Sequence, residues 1–577
     1  MTPYYPSRRG KVTQHNRLQS VPCQVDIVIV GGGIYGATLC WEAAHRGLKV
    51  VLVEQCDFAS GTSSNSLKTI HGGLRAIQRL DFSACREAAS ERRTFLKIAP
   101  HLVKPLRCLL PTSNQLMKNR WVVGAGAALY NLLTRDRNLG LASEQSIPAA
   151  GLISLAALKQ HTPTLKSEPY SGALSWHDAQ AGSTERLVLA FVQSAIRQGG
   201  HALNYVAAHK LLYKGGIVQG VCIQDELNGE RRNIESAIVI DASSGWQFYK
   251  QQGFSTADRS KEYVQAVNVV VDRTIAPVAM GVQTHNDQYK GRALFIAPWQ
   301  NRSIIGTWYA THHGPPNNSH ISQKQVEEYL NGVNSAFDQL DLRLDEICNV
   351  HVGYLPADKA LDFTQDTESS LLRHNHLHRC NELVGLYVQI GTKFTMARAS
   401  AASTIDTISA QHGLSIKPSR SQDTNLHGGE LESTLTLQAK LSNQYGDKVP
   451  NNTMNLLIEH FGSCTTTLLA SLEENPSGAN AIPGAAPLIC QVIDYCVEHE
   501  QVHSLEDLLK RRLNLGSIAL PPKTTIDYCS HALAARLGWS HQVRQNQINQ
   551  LYTSYPNWMH QKTDNTATPI EELTTWT

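Results

Sequence analysis

The residues best suited to chemistry in this chain are a cluster of glycines set between two short apolar runs. Val25 to Val30 (VDIVIV) is apolar and rich in β-branched residues, the pattern of a buried parallel strand. It runs into Gly31-Gly32-Gly33-Ile34-Tyr35-Gly36, then a helical stretch from Ala37 to Arg46 that Gly47 closes. Lys49 to Glu54 (KVVLVE) reads as the next strand. Gly31 permits the tight turn, Gly33 lets a pyrophosphate approach the backbone, and Gly36 lets helix and strand pack closely. The helix start offers unpaired N–H groups to phosphates. Glu54, 18 residues past Gly36, stands where a carboxylate accepts from ribose hydroxyls. Strand, glycine turn, helix, strand and acid arrive in the order a dinucleotide site requires. These residues alone leave NAD and FAD both open.

From Asp57 the chain continues DFASGTSSNSLKTIHGGLRAIQRLDF. Small hydroxyls and glycines of this kind let backbone donors come close to an anionic cofactor. The run resembles the FAD-dependent glycerol-3-phosphate dehydrogenases. The resemblance implies that Thr62, Ser63 and Ser64 bond the FAD phosphates or ribityl chain. It lays Ile70-His71-Gly72-Gly73-Leu74-Arg75 along the isoalloxazine ring, with Arg75 facing a substrate phosphate.

The likeness extends over about residues 24 to 540, specific at the N-terminus and looser beyond. Ala99-Pro100-His101-Leu102, Arg186 to Ala190, Ile238 to Trp246, Pro298-Trp299 and Ile305-Gly306-Thr307 all match. Gly391-Thr392-Lys393-Phe394-Thr395 matches the closing flavin loop, so Gly391 and Thr392 are expected at the cofactor and Lys393 at the substrate. Arg398 follows at the family's spacing. Arg373 sits near the family's second phosphate arginine.

Four departures fall where the chemistry would be. The family's S-G-V-R-P becomes Val352-Gly353-Tyr354-Leu355-Pro356, which replaces a phosphate-gripping guanidinium with Leu355. Its K-G-S-H becomes Gln265-Ala266-Val267-Asn268, an asparagine where a histidine shuttles protons. Ala76 follows the motif arginine where tyrosine is usual, and T-T-D after I-G appears as Thr307-Trp308-Tyr309. His71 and Tyr309 are the remaining candidates for a base. His177, beside Asp178, reads as an ordinary structural histidine.

Composition narrows the alternatives. At 577 residues two or three domains are expected, and a net charge of +3 is too mild to imply nucleic acid. Twelve cysteines without a C-x-x-C pair suit reduced thiols, fit no zinc site and, with no secretory signal, point to the cytoplasm. No apolar run reaches the roughly 18 residues of a spanning helix. The longest, Trp121 to Leu133, reads as a buried helix in preference to one lying in a membrane interface. Residues 1 to 22 read as a mobile basic tail, and those from about Trp558 as a frayed end.

By analogy with the family, an α/β fold is expected: a Rossmann-like FAD-binding domain in three pieces (23–98, 174–248, 378–425). Residues 99–173 and 249–377 would form a mixed-sheet substrate domain. The C-terminal helical domain would span 426–577, on apolar spacings such as Met454-Leu457-Ile458-Phe461. The implied activity is hydride transfer from glycerol 3-phosphate to FAD, with electrons passed to quinone or oxygen. Two other readings stay open. One is a flavoenzyme for a different hydroxy acid, polyol phosphate or amine, favoured by Leu355, Asn268 and Ala76. The other is a flavin-binding partner protein without turnover. Peripheral membrane contact, which the family uses to reach quinone, is left open.

Overall fold

A computed structural model describes residues 17–115, 118–166, 169–244, 247–255, 262–283, 293–312, 321–357 and 376–562. Val25 to Val30 forms the strand Ile27–Val30, fully buried, because an inner parallel strand is covered on both faces. It pairs in parallel with Val50–Glu54 on one side and Val239–Asp241 on the other. The six-stranded sheet runs His376–Arg379, Leu386–Ile390, Val239–Asp241, Ile27–Val30, Val50–Glu54, His201–Asn204. Only its edge pair, His376–Arg379 with Leu386–Ile390, is antiparallel. Helices Ile34–His45, Thr184–Arg197 and Ala397–His412 cover one face, and Ile29, Leu39, Phe191 and Ile405 share their core. Each such fully buried aliphatic or aromatic side chain contributes roughly 1.5–3 kcal/mol. A three-stranded antiparallel sheet, Val206–Lys214, Ile217–Asp225 and Arg231–Glu235, shares a core with the other face.

The second layer is a nine-stranded mixed sheet ordered Ile347–Ala357, Glu262–Val271, Arg302–His312, Ala293–Trp299, Ala279–Gln283, Val103–Ser113, Tyr170–Ala181, Thr69–Ile70, with Gly151–Ser154 on Tyr170–Ala181. The run from Ala293 onward is a hairpin. Gln300 and Asn301, both at positive φ, make its two-residue turn. Residues Thr434 onward are helical. Their core is continuous with Leu106, Trp176, Val270 and Trp299 of the nine-stranded sheet.

Five expectations of the fold change. The first helix spans Ile34–His45, because Gly33 already stands in the extended N-cap position and the helix follows it at once. The strand Tyr170–Ala181 crosses the boundary drawn at 173/174 and belongs wholly to the nine-stranded sheet. Residues 17–22 are docked: Leu18 is buried, and Arg17 donates to the Asn204 carbonyl at 2.6 Å and pairs with Asp225. The chain end is likewise held as far as Met559, which is buried beside a Trp558 packed on the nine-stranded sheet's core.

The helix Arg120–Leu133 forms as expected but is not buried. Ala127 and Tyr130 face inward, whereas Trp121, Ala125, Ala128 and Leu132 share an exposed face. Trp121 is 78% exposed. Both faces are apolar, so hydropathy alone reads the helix as interior.

Candidate functional site

One cleft of about 1470 Å³ lies between the six-stranded sheet and the nine-stranded sheet. The glycine turn forms one end. Gly31 takes φ +107°, and a Cβ on Gly36 would sit 1.8 Å from the Gly31 carbonyl oxygen, so neither position admits another residue. Gly33 lines the cleft at the start of helix Ile34–His45, where backbone N–H groups are presented to an anion. Glu54 also lines it, accepting from the N–H groups of Gly32 (2.6 Å) and Cys56 (2.8 Å). Burial raises the Glu54 carboxyl, and those two bonds oppose the rise.

The Thr62–Ser64 loop divides its duties. The Ser63 hydroxyl accepts from the Ile34 N–H at 2.9 Å and lines the cleft, with its own proton left to donate. Thr62 lines the cleft too, but its hydroxyl is engaged with the backbone of Tyr354, donating at 3.0 Å and accepting at 2.9 Å. Ser64 is turned away and donates to the Gly61 carbonyl. Behind the loop, buried Lys68 bonds the Ser64 carbonyl at 2.6 Å and the Glu185 carboxylate at 2.9 Å.

His71, Arg75, Gly391, Thr392 and Lys393 converge on the same cleft, while Gly36 and Gly72 lie behind its wall. Gly391 packs against the Tyr35 ring, whose hydroxyl donates to the Lys393 carbonyl at 2.9 Å. Arg373 lies outside the described residues. Arg398 is not at the site: it is buried in an ion pair with Glu91.

The sharpest constellation is one the sequence reading passed over. Trp176 and Asp178 alternate toward the cleft, while the intervening His177 points the other way, its imidazole pushed down to about 4 by burial. Asp178 is buried, with Oδ2 2.9 Å from His71 Nδ1 and Oδ1 accepting from the Gly72 N–H at 2.8 Å. Burial alone would raise its carboxyl, but His71, Arg92 and the Gly72 N–H hold it below the ordinary carboxylate range. An ionised Asp178 accepts a hydrogen bond, which keeps the proton on Nδ1 and leaves Nε2 to act as the acceptor. The Phe295 ring meets His71 edge-on at 5.9 Å.

On the nine-stranded sheet, Ala266 and Asn268 face the cleft and Val267 and Val269 face the core. Asn268 lies opposite an irregularity in the neighbouring strand, where Gly306 and Thr307 take the place of one residue. Its Oδ1 accepts from the Thr307 hydroxyl at 3.0 Å. Leu355, Tyr309, Thr307 and Ala76 line the cleft as well, so all four departures from the family pattern surround one space.

A glycine turn at a helix start, a half-buried acid at the end of the second strand, and a long cleft running onto a mixed sheet define a dinucleotide-dependent oxidoreductase. Comparison with known proteins agrees. The family described as FAD dependent oxidoreductase matches residues 26–406, and the C-terminal domain of alpha-glycerophosphate oxidase matches residues 419–544. Glycerol-3-phosphate dehydrogenase of Synechocystis is 29% identical over 92% of this chain and 96% of its own. That of Mycobacterium leprae is 31% identical over 90% and 86%. The structure of glycerol-3-phosphate dehydrogenase from Bacillus halodurans, solved with FAD, superposes with TM-score 0.73 at 21% identity, covering 93% and 97%. The chain belongs to the FAD-dependent oxidoreductases, in the glycerol-3-phosphate dehydrogenase family. Its cofactor is FAD, and the Gly31–Gly36 cradle, the helix start and Glu54 fit the pyrophosphate and ribose.

Proposed function

We propose that this chain oxidises sn-glycerol 3-phosphate to dihydroxyacetone phosphate and passes the electrons to a membrane quinone. The observation that carries this reading is the convergence of His71, oriented by Asp178, with Arg75 and Lys393 on one cleft. When bound, FAD supplies the acceptor for the hydride. Arg75 and Lys393 hold the substrate's phosphate and set its reacting carbon in place. His71 Nε2 takes the hydroxyl proton as the C–H electron pair leaves, and Asp178 stabilises the imidazolium that results. Arg373, the further phosphate contact implied by the resemblance, is proposed on that ground alone.

Leu355 supports a second reading, a flavoenzyme for a different hydroxy acid, polyol phosphate or amine. It puts an apolar side chain on the cleft wall where the family has a guanidinium.

Quinone is favoured over oxygen by the exposed apolar face of helix Arg120–Leu133. Val123 of that helix lines the cleft, and exposed Leu80 and Phe82 follow the neighbouring helix Leu74–Ile77. No described helix is long and apolar enough to cross a membrane, so contact would be peripheral.

The test is anaerobic addition of glycerol 3-phosphate to the purified yellow protein. Rapid bleaching of the oxidised-flavin absorbance supports the reading. An unchanged spectrum, with dithionite still able to reduce the flavin, would sink it and favour the second.

A further inference from the structure

Arg511 belongs to the C-terminal helical region, yet it lines the cleft beside Glu54, Cys56, Asp57, Tyr205 and Glu506. It sits in a π-helical turn, Asp507–Arg512, a widened geometry that recurs at functional positions. All three nitrogens of its guanidinium are held by carboxylates. Nε donates to Asp57 at 2.6 Å, Nη1 to Glu506 at 2.9 Å, and Nη2 to Asp507 at 2.7 Å. Asp57 is fully buried and is also gripped by Arg512 (2.7 and 2.9 Å) and by the Asn204 amide (2.7 Å). Tyr205 closes the cluster by donating to Asp507 at 2.8 Å.

This is more ionic bonding than tethering one loop to one helix requires. Three of its five N–H donors are spent on carboxylates from three directions, which fixes the plane of the guanidinium and leaves its flat face to stack on an aromatic ring. Here the face is fixed in orientation, and its place in the cleft is next to Glu54, the residue that marks the ribose end of a dinucleotide site. A flexible ammonium could not present such a plane.

We propose that Arg511 forms the adenine wall of the FAD site, so that the C-terminal helical domain holds the adenosine half of the cofactor. The Asp57–Arg512–Asn204 contacts keep that wall in register with the nucleotide-binding strands. The role is independent of which substrate the enzyme oxidises.

The test uses the full chain stripped of flavin, titrated separately with FAD, ADP and FMN. Arg511→Lys keeps the charge and removes the plane. It should weaken FAD and ADP by about tenfold and leave FMN, which lacks adenosine, unchanged. Unchanged affinity for FAD and ADP, or an equal loss for all three, would overturn the proposal. Should the variant fail to fold, hydrogen exchange on the flavin-free wild type decides. FAD and ADP should protect residues 505–514 and FMN should not; equal protection by all, or none by any, rejects it.

Discussion

Asp178 holds His71 by one carboxylate oxygen and the next residue's backbone N–H by the other, at 2.9 and 2.8 Å. One buried carboxylate therefore ties the orientation of the ring to the position of the backbone. His71→Ala is expected to lower kcat by roughly 10²–10⁴-fold with little change in KM, since it removes a proton acceptor used only as the bond breaks. Asp178→Asn should lower kcat by about a hundredfold while the flavin spectrum stays native. Steady-state kinetics beside the absorbance spectrum check both. A KM effect without a kcat effect would mean that His71 only binds substrate.

What could be read from the sequence was local. Gly31 to Glu54 carries its whole instruction within one strand–helix–strand unit, so its fold and cofactor class were legible. The partners that complete the site are not local. Asp178 stands 107 residues from His71, and Arg511 stands 454 from Asp57. Alternation along Trp176, His177 and Asp178 is the signal for the first, but alternation alone does not say which of the two faces meets the cleft. Two of the carboxylates around Arg511, Glu506 and Asp507, are sequence neighbours that read as an ordinary charged helix, and the third, Asp57, comes from another domain. Leu18 and Met559 show the same limit at the chain's ends: a few apolar residues in polar surroundings dock where a complementary surface exists.

Leu355 lies in the cleft wall, on a strand paired to the one that carries Asn268. If glycerol 3-phosphate is the substrate, Leu355→Arg should strengthen its binding. A bidentate guanidinium added to Arg75 and Lys393 should reduce KM by about tenfold. An unchanged or higher KM would indicate that the anionic group sits elsewhere in the cleft or that the substrate carries none.

The exposed face of helix Arg120–Leu133 predicts a measurable lipid affinity. Trp121→Ser with Leu132→Gln should reduce flotation of the protein with anionic liposomes and slow turnover with a long-chain quinone. Reduction of a soluble dye should be unaffected, because neither residue lines the cleft. Equal flotation of variant and wild type would place the membrane contact on another face.

Where the C-terminal helices meet the cofactor domain, His101, His427 and His460 gather around the buried pair Arg186–Glu500. Burial pushes the imidazoles of His101 and His460 down to about 3 and that of His427 to about 4, with Arg186 adding to each effect. All three are therefore neutral in the folded chain below the ordinary pKa of about 6.5 at which they charge when unfolded. The unfolded state then binds more protons, so this stability is fully present above about pH 6.5 and falls as pH drops toward 4. Near pH 5 unfolding should take up roughly three protons from this cluster alone. Urea unfolding midpoints measured between pH 5 and 7 give that slope. His460→Gln should flatten it by roughly one proton, and an identical slope in the variant would show that His460 charges equally in both states.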